Sequence, residues 1–594
     1  MSRRKYTSFH FSPRNNRSIL MPGIPKGEPY VPAPRSMSRR YPFPPVAEER
    51  LDRARPYVQI NTGLHRKEAR TGYQDRPYSV YVPDGMHSKG AAALVFPPSG
   101  MDGEAFVAWE NWKELADDSH MALLILESRD WKAEETEQVF DYANEVVKRE
   151  FGQRLTVDIC ESCIYPMGLG DGARMAVSYA LTYSATYGAL AADGDCSVDP
   201  ELLEVLEKLP SDGVDTRKKT QIPLPAFLID REGRGTDTFI YMKKLIHARE
   251  DGLSNQYGKV YLEQARPGAY FVNEQPVSQV WLCGGESAGN IGREEWNRAM
   301  VEFVSRYSRW GGFGNNHLRL RRTLEETGVV RVERQIGELA RYWDVYVPSC
   351  CEPDSGKTWP LVVAVHGLSC NSEYFEHTSD WQRIAEERGF FVVFASGYPA
   401  NDGIARFPVP HWDAEVEGGK EELYFRELLD YMEATYPVDR KRIYAAGHSN
   451  GSRMVQRLMR AMPERFAAFG PTGALGGWSP EEVKPLDVTV PVPVWFMMGE
   501  YDVSDSRLTE GGLAWKTLET CCMANGVDFT ADNWYDNGHY HTLVLYDGKH
   551  VPMVQYTVMR GCPHTYTAEM AQMTWDLFFC HFEREEDGSI RYRG

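Results

Sequence analysis

Tyr436-Pro-Val-Asp-Arg-Lys-Arg-Ile-Tyr-Ala-Ala-Gly-His-Ser-Asn-Gly451 is the stretch on which the fold turns. Residues 442–446 (Arg-Ile-Tyr-Ala-Ala) read as a strand that leads straight into a glycine turn. The next five residues, Gly447-His-Ser-Asn-Gly451, spell G-x-S-x-G, and a helical pattern follows. A serine raised on a sharp strand-to-helix turn needs glycines two residues to either side, because side chains there would collide. The turn lifts the serine oxygen above the sheet edge. It also aims the first backbone N–H groups of the helix at a reacting carbonyl.

Strands and helices alternate around this turn. Residues 361–365 (Leu-Val-Val-Ala-Val) and 390–394 (Phe-Phe-Val-Val-Phe) read as strands, and 420–436 carries apolar residues at helical spacing and stops before Pro437. Strand, helix and strand with buried parallel pairing predict an α/β fold. A serine needs a base, and the base needs an orienting acid. On a turn of this kind they follow in the order acid, then histidine. The strand at 492–498 leads into Gly499-Glu-Tyr-Asp502, so Asp502 is the expected acid, with Asp505 as the alternative. His564 lies in a loop ahead of the last helix, expected over 570–579, and is the expected base. The loop after the first core strand, His366-Gly367-Leu368, should supply the other half of an oxyanion hole, from the N–H groups of Leu368 and Asn450. His366 is read as a brace for that loop. It is also carried, with His411 and Trp412, as a candidate substrate contact, the last two as a flat wall beside the cleft. His539 and His541 flank Tyr540 in an expected hairpin, where a polar sheet face is preferred to a metal site. No metal and no organic cofactor is required.

The pattern occurs twice. Residues 97–112 align without a gap with 366–381, and Gly168-Leu-Gly-Asp-Gly-Ala-Arg-Met175 aligns with Gly447-His-Ser-Asn-Gly-Ser-Arg-Met454. A period this long marks two copies of one domain rather than a solenoid. The expected division is an arm rich in Pro and Arg at 1–55, a first domain at 56–311 and a second at 312–594. In the first copy Gly170 stands for Ser449, Arg234 for Asp502 and Pro97-Pro98 for His366-Gly367, and no histidine occurs between His247 and His317. A copy without nucleophile and base cannot run acyl transfer, so a structural role is expected for it: packing on the second copy, covering its cleft, or forming a homodimer through this domain or the arm.

The second half resembles the α/β-hydrolases of the polyhydroxybutyrate depolymerase and feruloyl esterase group. Residues 361–367 and 436–451, followed by the late acid and histidine, carry the resemblance. It implies two tandem α/β-hydrolase domains, the first without a triad. It also implies a serine esterase acting on a small or oligomeric ester (a polyhydroxyalkanoate oligomer, or a feruloyl or acetyl ester) through an acyl-enzyme. Members often carry His-Gly-Cys in the first loop, where this chain has Leu368. A peptidase or amidase of prolyl-oligopeptidase type is the alternative within the same chemistry, and a non-catalytic binding or scaffold protein is the alternative from another class.

Composition bounds the rest. The chain has 594 residues, 42 % hydrophobic and 25 % charged, which fits a globular protein and excludes a disordered or disulfide-scaffold chain. A net charge of −18 argues against nucleic acid as partner. No stretch of 18 apolar residues suggests a membrane span. No secretory signal is read at the N-terminus, and eleven scattered cysteines, of which only Cys160 and Cys163 show C-x-x-C spacing, favour a reducing, cytoplasmic setting.

Overall fold

A computed structural model describes residues 46–209, 219–249, 252–265, 275–284, 291–311, 316–351, 356–401, 405–536 and 540–594. Most of the expected arm, and His539, lie outside them. The chain divides into two compact units at Arg321/Arg322.

The first unit is built on a ten-stranded sheet. Its strands are β1 (Gly63–Arg70), β2 (Asp75–Val82), β3 (Gly90–Phe96), β4 (Ala122–Leu126), β5 (Ile159–Gly170), β6 (Leu190–Gly194), β7 (Ala226–Asp230), β8 (Leu253–Asn255), β9 (Gly258–Leu262) and β10 (Gln279–Gly284). Their order is β1-β2-β4-β3-β5-β6-β7-β10-β9-β8. The central pairs are parallel and the flanking pairs antiparallel. A hairpin of β11 (Tyr307–Gly311) and β12 (Asn316–Leu320) closes the unit. It crosses the division expected at 311/312 and moves that boundary ten residues on. The reason is an anchor: Arg309, 1 % exposed, donates to the carbonyls of Tyr187 and Pro223, and Tyr165 donates to the Tyr307 carbonyl.

The second unit holds Arg322–Ala400 and Val409–Gly594. Its strands are β13 (Val329–Ile336), β14 (Leu339–Tyr346), β15 (Trp359–Val365), β16 (Phe391–Ala395), a small hairpin of β17 (Tyr398–Ala400) and β18 (Val409–His411), then β19 (Val438–His448), β20 (Ala468–Thr472), β21 (Val494–Tyr501), β22 (Trp534–Asp536), β23 (Tyr540–Tyr546) and β24 (Pro552–Pro563). The main sheet runs β13-β14-β16-β15-β19-β20-β21-β24-β23-β22. Strand for strand this is the order of the first unit. Even the irregularity recurs: β3–β5 shifts register at Gly90/Ala92, and β15–β19 at Trp359/Leu361. The residues of β15 from Pro360 onward and all of β16 are buried, as their unbroken apolar runs demand. The chain is therefore two tandem α/β domains.

None of the eleven cysteines is in a disulfide, and Cys160 and Cys163 are buried. Among the described residues no helix is long and apolar enough to cross a membrane.

The helix Ser372–Ser379 carries the loop after β15 back toward the sheet, with Asn371 capping it by accepting from the Tyr374 N–H. Beneath it Asp344, fully buried, takes both hydrogen bonds of an Arg331 fork and one from the Ser372 hydroxyl. Glu376, on the same helix and 1 % exposed, has neither carboxyl oxygen hydrogen-bonded. Burial, then the neighbouring Asp344 and Glu373, push its pKa up to about 8 against the opposing pull of the nearby Thr327 side chain and of Arg331. Between its ordinary 4.5 and about 8 the folded chain thus holds a proton that the unfolded chain has released. Stability falls as pH rises through that window, by about 1.4 kcal/mol per pH unit from this group. Glu376→Gln should remove that slope. Urea midpoints followed by tryptophan fluorescence at pH 5, 6 and 7 should be flatter in the variant than in the wild type.

Candidate active site

Ser449 sits between β19 and the helix Asn450–Ala461 with φ 57° and ψ −118°, a conformation that side-chain-bearing residues rarely adopt. Its neighbours make this possible. A Cβ on Gly447 would lie 2.6 Å from the Gly451 carbonyl oxygen, and one on Gly451 would lie 2.2 Å from that of Val365. The helix therefore packs directly on the end of β15. The Ser449 N–H donates to the Thr472 carbonyl at 2.8 Å, which ties the turn to β20.

Three side chains from three strand ends meet above this turn. His564, the residue after β24, has Nε2 2.9 Å from Ser449 Oγ and Nδ1 2.6 Å from Asp502 Oδ1. Asp502, the residue after β21, has a side chain 1 % exposed and also accepts from the N–H groups of Val503 (2.7 Å) and Gly499 (3.2 Å). An ionised carboxylate only accepts, so Nδ1 of His564 carries the hydrogen and Nε2 is left to accept from the serine hydroxyl. Asp505, the alternative acid, pairs instead with Arg507 at 2.7 Å.

The loop after β15 lies against the serine: a Cβ on Gly367 would stand 3.3 Å from that of Ser449. Leu368 follows Gly367 in this loop, and Asn450 is the first residue of the helix, so both expected oxyanion donors border the serine. The Asn450 side chain has a further task. Its Oδ1 accepts from the Trp412 N–H at 2.7 Å and its Nδ2 donates to the Trp412 carbonyl at 3.0 Å.

Two expected substrate contacts are corrected here. His366 is fully buried; its Nε2 accepts from the Gly397 N–H at 2.8 Å, and its Nδ1 lies 2.6 Å from the Gly367 carbonyl. Burial pulls its pKa down to about 3, so it is neutral. Both ring nitrogens are used within the protein, and His366 braces the loop rather than facing a ligand. Trp412, 2 % exposed, packs on His366, Tyr424 and Phe425, and its indole donates to the His366 carbonyl at 2.8 Å. It belongs to the core under the cleft, not to the cleft wall. His411 ends β18, half-buried, with Nδ1 3.4 Å from the Val409 carbonyl. His541 stacks on Trp534 with ring centres 4.1 Å apart, and the described residues contain no metal-holding cluster.

Sequence reasoning passed over His448, the variable residue of G-x-S-x-G. Its ring packs against His564 at 4.6 Å between centres, and near Tyr566 at 5.9 Å. Its Nδ1 is shut off from solvent without a hydrogen-bond partner, and burial followed by the neighbouring His564 holds its pKa well below the usual histidine range. A neutral ring therefore lies along the candidate base. Nothing in the motif specifies a histidine at that position.

Residues 341–484 match the family model described as "Putative esterase". The chain is 27 % identical over 233 residues to the bifunctional acetylxylan esterase/xylanase XynS20E of Neocallimastix patriciarum, covering 39 % of this chain and 30 % of that protein. It is 25 % identical over 135 residues to feruloyl esterase B of Talaromyces funiculosus, covering 22 % and 35 %. A solved acetyl xylan esterase from Aspergillus awamori aligns at 17 % identity over 42 % of this chain and 98 % of that one, with a TM-score of 0.32. The chain spans less than half the length of the curated relatives it matches. Residues 341–484 are thus similar to an esterase family.

Against this esterase-type unit the first unit keeps the scaffold of the turn without its side chains. Gly170 has φ 59°, close to that of Ser449. A Cβ on Gly172 would lie 2.4 Å from the Phe96 carbonyl oxygen, as one on Gly451 would crowd Val365. The Trp131 indole donates to the Pro97 carbonyl at 2.6 Å, the same brace that Trp412 gives His366. Arg234, at the aligned position of Asp502, is ion-paired with Glu232. These contacts make both glycines structural. Gly172→Ala and Gly451→Ala should each destabilise the chain by about 1–3 kcal/mol. Calorimetry should show both losses, while a serine-directed fluorophosphonate should still label Gly172→Ala and fail on Gly451→Ala.

Proposed function

We propose that the second unit hydrolyses carboxylic esters through an acyl-enzyme on Ser449. The observation that carries this is the hydrogen-bonded line from Ser449 Oγ to His564 (2.9 Å) and from His564 to Asp502 (2.6 Å). Ser449 Oγ bonds the ester carbonyl carbon as its proton passes to His564 Nε2. The N–H groups of Leu368 and Asn450 receive the oxyanion. Collapse breaks the bond to the alcohol oxygen, which leaves with the proton from His564. Water then gives a proton to the same nitrogen, attacks the acyl carbon and releases the acid, restoring Ser449. Asp502 holds the ring in the required tautomer and stabilises the imidazolium. Water and the ester are the only reactants, and no metal or organic cofactor enters a step.

The match to the esterase family and the relatives named as acetylxylan and feruloyl esterases support acetyl or feruloyl esters as the substrate class. The first unit, with Gly170 for the serine and Arg234 for the acid, takes no part in acyl transfer.

The test compares 4-nitrophenyl acetate and methyl ferulate with a peptide nitroanilide. Wild type should turn over at least one ester and leave the anilide intact. Ser449→Ala should lose at least ~10³-fold in kcat, and Asp502→Asn about 10²–10⁴-fold. A fluorophosphonate should label Ser449 alone. Undiminished ester turnover by Ser449→Ala, or labelling of another serine in its place, would overturn the reading.

A further inference from the structure

The first unit has not closed the place where its counterpart carries the serine. A cavity of about 340 Å³ opens at the ends of β5, β6 and β7, bordered by Gly170, Gly194 and the charged residues that follow them. That volume is within the range of small-ligand sites. Apart from Gly170 and Gly194, every residue that lines it is of a charged type, and both signs are present. Arg231 grips Asp193 with two hydrogen bonds at 2.9 and 3.2 Å, and Asp193 is 6 % exposed. Asp195 is held by the Ser197 N–H at 3.0 Å, with Arg234 3.9 Å away. Lys132 stands exposed at the rim. Asp230, the last residue of β7 and 1 % exposed, gives one carboxyl oxygen to the Gly235 N–H, while its Oδ1 has no hydrogen-bond partner. A buried carboxylate oxygen left unpaired at the border of a cavity is costly unless something there donates to it.

The lining selects its ligand. It holds five carboxylates, those of Asp171, Asp193, Asp195, Asp230 and Glu232, against four cations. Three of the cations, Arg231, Arg234 and Arg293, are already matched to Asp193, Glu232 and Glu110. A free anion would meet an excess of like charge, and a bare metal ion would find no converging ligand set among the described residues. A hydroxyl group both donates and accepts. Vicinal hydroxyls can donate to a fixed carboxylate while accepting from the adjacent guanidinium. Backbone contributes too: Gly194, at φ 151°, packs so closely on the turn that a Cβ would lie 2.0 Å from the Gly170 carbonyl oxygen, so no side chain fills the floor there.

We propose that this cavity binds a neutral polyhydroxylated ligand, a sugar residue or the end of a saccharide chain, without reacting with it. The assignment stands on the first unit alone and is independent of the chemistry at Ser449.

The test is calorimetric titration of the full chain with xylotriose and cellotriose, with inorganic phosphate as the charged competitor. At least one trisaccharide should bind saturably with a millimolar or tighter Kd, undisturbed by phosphate. Arg234→Ala, at a half-exposed position that the fold tolerates, should weaken it at least tenfold. Asp230→Asn should weaken it similarly, with circular dichroism and melting temperature checking that the variant is folded. Three results would overturn the proposal: no saturable binding of either sugar, binding unchanged in Arg234→Ala, or displacement of the sugar by phosphate, which would make the cavity an anion site.

Discussion

A strand ends, the chain turns through a left-handed residue, and a helix begins within van der Waals contact of the neighbouring strand. The crowding at this turn governs both halves of the protein. In the second unit Gly451 must be bare because Val365 lies behind it, and Ser449 is forced to φ 57° as a result. A serine on ordinary backbone would lie along the sheet edge. Here it is lifted to meet His564 and Asp502, which arrive from strands whose ends lie alongside in the same parallel sheet. The strain is retained because the surrounding contacts over-determine it: the Thr472 carbonyl behind, the Gly367 loop in front and the helix above.

Around that turn a layer of neutral, fully used polar groups sets the geometry. His366 spends both nitrogens on backbone, Trp412 ties its indole to the His366 carbonyl, and Asn450 clamps the Trp412 backbone from both sides. Because His366 is neutral, the layer adds no cation beside the serine turn. His448 is likewise held neutral against His564. The result is a neutral polar layer packed around the serine turn.

The first unit shows what the same crowding preserves when a glycine, Gly170, stands in the serine's place. Gly170, Gly172 and Trp131 repeat the turn and its brace, while aspartates and arginines occupy the strand ends. Packing restrains the backbone; it places few demands on residues that face solvent in the cleft. The scaffold is thus common to both units and their clefts differ in kind.

Much of this was readable from the chain alone. Unbroken apolar runs marked the parallel strands because both faces of such strands are buried, and the strand expected at 390–394 lies one residue on, at Phe391–Ala395. The G-x-S-x-G spacing marked the turn because only glycine survives the contacts there, and chain order then picked out Asp502 and His564. Tandem copies were visible because one packing problem solved twice leaves the same residues at the same spacing. Other features came only from the three-dimensional structure. Whether His366 and Trp412 face a ligand or the core depends on side-chain direction, and a sequence pattern in a loop carries no period from which to read it. That the first unit runs on through the hairpin to Arg321 was not legible, because Arg309 is anchored on carbonyls distant in sequence. The charged cavity of the first unit depended on residues from three separate strand ends, whose proximity is a property of the sheet and of no local stretch of sequence.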